Sequence, residues 1–356
     1  MTKAVPGASI RHVSVRPPAN ATAEILARID PLDYGYPEGG VRDLRNVVVT
    51  RSGICFRGLL PVRESYHHGY PHKWLGHLSI GYASRVRRRA RALDGSQTYC
   101  IGHNLWTGGY FHWLTEAVPR LLRLRDQAAA LTCLTPPFAR LAGIVEDSIR
   151  PIGFRAMARY PDGANGKAKR FVLPSNPPRK AEYDPPAMQL ARELYLHAYG
   201  GTLETPARQT CIYVTRRKAR GRCVSNEAEL ESVLAARGFA VVAFEDVSFP
   251  EQVSLLSSAK VLVSVHGAGL SNMMFMPPGG VVVELMADPA EADRPSPVRR
   301  SVLAPATYAR LASVMDHHYL ILFCPRTAGG QGGLADLVVD RDAFSNVLDH
   351  ALSLAE

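Results

Sequence analysis

The chain has 356 residues, with 42 Lys+Arg against 32 Asp+Glu and a formal net charge of +10. Hydrophobic residues make up 46% and charged residues 21%, a balance that supports packed cores and excludes a disordered or fibrous chain. No apolar run approaches the roughly 18–20 residues that cross a bilayer, and the first twenty residues lack the apolar centre of a secretory signal. A cytoplasmic protein is therefore expected, and at roughly 150 residues per domain the length suggests two domains. The six Cys form no C-x-x-C and fit neither a zinc module nor a small disulfide framework, so reduced thiols are expected. The positive balance points to anionic partners: phosphorylated small molecules, nucleic acid or an anionic membrane face.

In chain order, residues 1–40 read as irregular. Residues 45–57 predict a β-hairpin, with Val47-Val48-Val49 and Ile54-Cys55-Phe56 flanking Ser52-Gly53. Residues 63–82 read as a loop rich in His, Tyr and Gly; His67, His68, His72 and His77 are a weak metal-ligand candidate. Arg85, Arg87, Arg88, Arg89 and Arg91 make a basic run, read as a solvated helix face or loop. Residues 99–101 suggest a short buried strand. Gly108-Gly109 then breaks the chain before a helix whose apolar positions are Phe111, Leu114, Val118, Leu121 and Leu122. The Pro-rich stretch 174–186 is the best linker candidate. It divides an N-terminal domain, 1–185, from a second domain, 186–340, and a final helix, 341–356.

The second domain is more regular. A strand at 211–215 leads into a basic loop, 216–222. Asn226 and Glu229 suggest a capping box for a helix that Gly238 closes. A strand at 239–244 precedes a second capping box, Ser248 with Glu251. The continuous apolar run 261–265 fits a buried parallel strand, the turn 266–272 opens a short helix, and 281–285 is a further strand. Strands and helices alternating in this way predict a doubly wound parallel α/β sheet.

The sharpest site is the strand-to-helix turn His266-Gly267-Ala268-Gly269. Its glycines let backbone N–H groups approach a ligand, and a helix N-terminus suits phosphate. The full G-x-G-x-x-G fingerprint is absent because position 272 is Asn, and a tight turn that needs glycine for its backbone angles alone is the competing reading. Arg216, Arg217 and Lys218 follow another strand of the same sheet and can reach the same anion. Glu284 and Glu245 are candidates for a ribose hydroxyl pair. His112 and Glu116, four apart on one helix face, make a candidate general base, and Pro119 predicts a bend there. No metal set is expected: Asp340-Arg341-Asp342 has the D-x-D form but precedes a predicted helix, where N-capping explains it.

Taken together, residues 110–122, 213–218, 244–252, 266–272 and 277–280 resemble glycosyltransferase family 61, of the bacterial kind, in content and order. The resembling stretch covers roughly 99–290. It implies a GT-B architecture, two Rossmann-like domains with parallel sheets facing a central cleft. It also implies inverting, metal-independent sugar transfer from a nucleotide sugar, usually UDP-linked, without a cofactor. The acceptor would be a hydroxyl of a glycan, polysaccharide or lipid-linked molecule. Thr215 stands where the family commonly has serine in the loop before the arginines, and retains the hydroxyl. The resemblance implies that the second domain binds the donor and the first carries the base; with the readings above, the donor candidates are Thr215, Arg216, Arg217, Lys218, Glu245, His266, Gly267, Ala268, Gly269, Leu270, Asn272 and Glu284, and the base is expected to be Glu116 or His112. The basic run 85–91 would add peripheral contact with the inner face of an anionic membrane. Two alternatives stand beside this: a polyanion- or nucleic-acid-binding protein, disfavoured because no stacking motif or nucleic-acid fold signature accompanies the basic stretches, and a sugar-nucleotide epimerase.

Overall fold

The computed structural model describes residues 9–29, 31–66, 79–177, 180–200, 210–219, 221–288, 306–327 and 336–356. The histidines at 67, 68, 72 and 77 lie outside them. The chain divides into two compact units: Met1–Val13 with Gly35–Leu194, and Ser14–Tyr34 with Tyr195–Glu356. Among the described residues no helix is long and apolar enough to cross a membrane.

Both units are α/β. After β1 (Ile10–Val13) and β2 (Tyr34–Pro37), which pair as a small sheet, the first unit builds an eight-stranded mixed sheet. Its strands are β3 (Val41–Val49), β4 (Cys55–Arg57), β5 (Leu60–Pro61), β6 (Ala90–Ala92), β7 (Thr98–Cys100), β8 (Thr132–Thr135), β9 (Ala156–Arg159) and β10 (Asn165–Pro174). The order is 5-4-3-10-7-8-9, with β6 also on β10. Helix-bearing crossovers make β7, β8 and β9 parallel, and β7 is parallel to β10. The other half is antiparallel, so the expected all-parallel sheet is corrected here. The tight turn around Gly53, at φ 79°, can only reverse the chain, and it pairs β3 with β4 as the hairpin pattern predicted. Val47, Val49, Tyr99, Ile101, Leu134 and Phe171 centre the core on one face.

The second unit holds a five-stranded, all-parallel sheet: β11 (Thr210–Val214), β12 (Phe239–Val242), β13 (Ala259–Val265), β14 (Val281–Ala287) and β15 (His318–Cys324), in the order 12-11-13-14-15. β13 and β14 are buried almost throughout, as continuous apolar runs require of central parallel strands. Chain direction across the sheet reverses between β11 and β13, so their carboxyl ends flank the switch point where such sheets bind ligands.

The division departs from the expected boundaries. Residues 14–34 belong to the second unit because they cover the edge of β15. The Ala19 N–H donates to the Tyr319 carbonyl at 2.7 Å, and the Asn20 side chain bonds both backbone groups of Ile321. That satisfies an edge strand's unpaired groups. The second boundary falls inside the helix Pro185–Tyr199, which opens on two prolines, rather than in the Pro-rich stretch before it. The final helix, Arg341–Leu354, is part of the second core through Phe344, Val347, Leu348 and Ala351. Asp340 caps it by accepting the Ala343 N–H at 2.8 Å, which accounts for the D-x-D.

Ser248 and Glu251 form the second capping box as predicted. Asn226 does not form the first. Its amide brackets the backbone of Val339, donating to the carbonyl at 2.8 Å and accepting the N–H at 3.0 Å. The six cysteines are free thiols, five of them buried.

Candidate functional site

Two clusters of polar groups stand out, one in each unit. In the first unit, the helix entered at Gly108-Gly109 runs from Tyr110 to Leu122 as α, π and α segments, with the π turn at Trp113–Ala117. Pro119 has no N–H for the Thr115 carbonyl, and the turn before it is widened to π bonding, with the Val118 N–H on the Trp113 carbonyl. The result is a local widening that includes Glu116, rather than a simple bend. Glu116 is 3% exposed, and its carboxylate meets His112 Nδ1 at 2.6 Å. The second carboxylate oxygen faces the Asn104 amide at 3.5 Å, and that amide is fixed by Asn176 at 3.1 Å. The more exposed His112 lies against Trp106, with ring centroids 6.0 Å apart.

Beneath this pair lies Arg120, fully buried, which donates to the carbonyls of Gly102, His103 and Pro174. Burial pushes its guanidinium down to about 10, and the Glu116 carboxylate acts against that drop. The neighbouring His103 is held down to about 3 by burial and by Arg120, so it is neutral. Tyr160 donates to the Thr50 carbonyl, so it accepts from His103 Nε2–H at 3.0 Å. Sequence reading missed Arg120, Asn104 and His103. Nothing in their spacing marks them, since loop and helix meet only in the fold.

In the second unit, the loop after β11 and the turn after β13 come together. Gly267 leaves room for Arg216: a Cβ there would stand 2.5 Å from Nη1 of that guanidinium. Arg216 is held by the carbonyls of Arg222 and Gly221, at 3.1 and 3.2 Å, and among the described residues it meets no carboxylate. Arg222 in turn donates to the His266 carbonyl at 2.8 Å. Burial and the neighbouring Arg216 charge both lower its pKa. Two guanidinium groups whose partners are backbone carbonyls leave net positive charge at the switch point. Tyr308 fastens the turn from the other side, donating to the Gly267 carbonyl at 2.6 Å. The Phe244 ring lies beside Gly269.

The remaining sequence candidates divide sharply. Arg217 is neutralised by Glu227 and Glu231, and Lys218 by Asp246 at 2.5 Å. The buried Thr215 hydroxyl donates to Glu227 at 2.9 Å, away from the turn. Glu284 lies in the middle of β14 rather than at its end, and is fully buried. One of its oxygens accepts from His266 Nδ1 and the other from the Tyr319 hydroxyl, so it supports the turn and has no path to a ribose. Asn272 is also fully buried and donates to Gln252 at 2.7 Å. Leu270 is interior, and its N–H is spent on the Gly267 carbonyl at 3.1 Å in a 3₁₀ turn. Ala268 and Gly269 are part-exposed at the turn, while Glu245 is exposed on the Phe244–Asp246 turn. Arg222, Tyr308, Tyr319 and Phe244 were missed as site residues. Arg222 alone had a signal, its place in the basic loop.

The second unit is thus a parallel α/β sheet with a cationic turn at its switch point. Residues 110–283, just under half of the chain, match the family described as Glycosyltransferase 61. Several similar curated proteins carry the name protein O-linked-mannose beta-1,4-N-acetylglucosaminyltransferase 2. The protein from Takifugu rubripes is 39% identical over 102 residues, 28% of this chain and 16% of that protein. The one from Tetraodon nigroviridis is 34% identical over 128 residues, covering 33% and 21%. The human protein is 32% identical over 137 residues, covering 37% and 23%. The chain therefore spans less than a quarter of the length of these relatives, and they lend no support to a bacterial affiliation.

Proposed function

We propose that this protein is an inverting glycosyltransferase of GT-B type that takes a sugar from a UDP-linked donor and places it on a hydroxyl of a glycan or lipid-linked acceptor. The observation that carries this reading is Arg216. Among the described residues it is a cation without a carboxylate partner, laid over Gly267 at the switch point of a parallel sheet. There it faces the place where a diphosphate would sit, with Arg222 behind it. The Phe244 ring beside Gly269 offers a flat apolar surface to the base. The names of the similar proteins make UDP-N-acetylglucosamine the first donor to try.

In the mechanism, the acceptor hydroxyl gives its proton to His112 Nε2. Glu116 orients the ring through Nδ1 and stabilises the imidazolium that forms, leaving Nε2 for the substrate. This assigns the base to the more exposed member of the pair. The acceptor oxygen bonds the anomeric carbon from the face opposite the diphosphate. The bond to the diphosphate oxygen breaks, and the nucleoside diphosphate leaves with the electron pair. Arg216 and the N–H groups at Gly267–Gly269 stabilise the charge gained by that leaving group. A cavity in the first unit, where Phe138 and Tyr160 meet Arg51 and Asp162, suits a sugar acceptor. The exposed arginines at 85, 87, 88, 89 and 91 suit an anionic membrane surface on the cytoplasmic side. A thermal-shift screen across UDP, GDP and CMP tests the donor reading. Selective stabilisation by UDP is expected, and no response to any of the three would refute it.

A further inference from the structure

The first unit carries a second concentration of charge, of which the reading above uses only Arg87. A concavity over the buried Val48 is lined by four cations, Arg45, Arg57, Arg87 and Lys167. They come from four elements. Arg45 is on β3, Arg57 on β4 opposite Val47, Lys167 on β10 opposite Val48, and Arg87 in the last turn of the helix Ile80–Arg88. That helix packs through Ala83 and Val86 onto Val48, Ile54 and Phe56, which brings its basic end down to the sheet. Asn46 interrupts the ladder between Arg45 and Val47, with φ at 53° in the left-handed region that Asn tolerates.

Among the described residues none of these four cations has an ion-pair partner, although Arg42 on the same strand is paired with Glu64. A helix C-terminus favours Arg87 through its dipole. Arg45, Arg57 and Lys167 stand on strands and gain nothing from it. Four like charges converging on a concave surface without a counter-charge repel one another unless an anion joins them.

We propose that this concavity binds a phosphate-bearing ligand, through a diphosphate or phosphomonoester group, at a site independent of Arg216. The arginines supply two-pronged contacts to phosphate oxygens, and Lys167 a point charge. The phosphate can belong to a soluble molecule or to a lipid headgroup, and the recognising chemistry is the same.

The test titrates sodium pyrophosphate into the full chain by calorimetry, alongside an Arg57→Gln/Lys167→Gln variant and an Arg216→Ala variant. The double variant should lose a binding event or bind at least about tenfold more weakly. Arg216→Ala should retain that event, which separates this site from the donor reading. An Arg57→Lys/Lys167→Arg variant, which keeps the charges, should bind, ruling out loss of folding as the cause. Co-sedimentation with phosphatidylglycerol/phosphatidylcholine vesicles, against phosphatidylcholine alone, distinguishes the sources. Loss of pyrophosphate binding alone in the double variant assigns a soluble phosphate, and loss of vesicle binding assigns a headgroup. The proposal is overturned if the double variant matches the wild type in both assays, if the wild type binds neither probe, or if Arg216→Ala abolishes all binding.

Discussion

Replacing Gly267 by alanine should disable the donor site while leaving the fold intact. The new Cβ would stand 2.5 Å from Arg216 Nη1 and 3.3 Å from its Cζ, and 3.5 Å from the Val265 carbonyl oxygen. Only the first distance is impossible, and it involves the free end of a long side chain. The backbone at Gly267 is extended, at φ 177°, so alanine adds no backbone strain. The clash is therefore relieved by moving the guanidinium roughly an ångström, enough to spoil a charge-assisted hydrogen bond. Such a bond contributes roughly 1.5–3 kcal/mol, so UDP affinity should fall about 10- to 150-fold. The melting temperature should shift little, because no buried contact is lost. Calorimetric titration of UDP into the Gly267→Ala, Arg216→Ala and double variants completes a cycle. The effects should be strongly non-additive, because both substitutions remove the same contact. Additive effects, or a Gly267→Ala variant that binds UDP like the wild type, would refute the argument that this glycine exists to seat Arg216.

The base pair gives a kinetic prediction. Glu116→Gln keeps shape but removes the charge behind His112, so turnover should fall roughly 10²–10⁴-fold with donor affinity nearly unchanged. His112→Ala should lose at least as much, and the double variant little more than His112→Ala; native turnover in Glu116→Gln would remove the pair from the mechanism. Acid stability gives a third. His103, held to about 3 in the fold, takes up a proton in the unfolded chain near pH 6.5. Stability should therefore fall as pH drops below 6.5, by about 2 kcal/mol at pH 5 from this group. Denaturant titrations of His103→Gln, which keeps an N–H for Tyr160 without titrating, should lose that increment; an unchanged acid limb would show that His103 is not its source.

The second unit was the more legible in sequence because each of its strands is a contiguous apolar run closed by a recognisable turn. Val261 to Val265 and Ser248 with Glu251 needed only local information. The first unit hid more. The antiparallel pairing of β3 with β10 joins residues more than a hundred positions apart, and no local pattern announces it. The same limit governs the sites. Loop order revealed that Arg216 and Gly267 follow strands of one sheet. Which of three adjacent cations keeps its charge was decided by Glu227, Glu231 and Asp246, whose positions relative to the loop exist only after folding. Glu284 looked like a strand-end carboxylate, but β14 extends three residues beyond it, to Ala287, so the side chain became a buried support for His266. Asn226 had a capping-box spacing, yet Val339 claimed its amide from 113 residues away.

In the proposed function, Arg216 at the switch point holds a nucleotide diphosphate. Calorimetric titration of UDP into the wild type and Arg216→Ala tests it most directly. The wild type should bind one UDP per chain, and the variant should bind it about 10- to 150-fold more weakly. Equal affinity in the two proteins, or no UDP binding by the wild type, would contradict it.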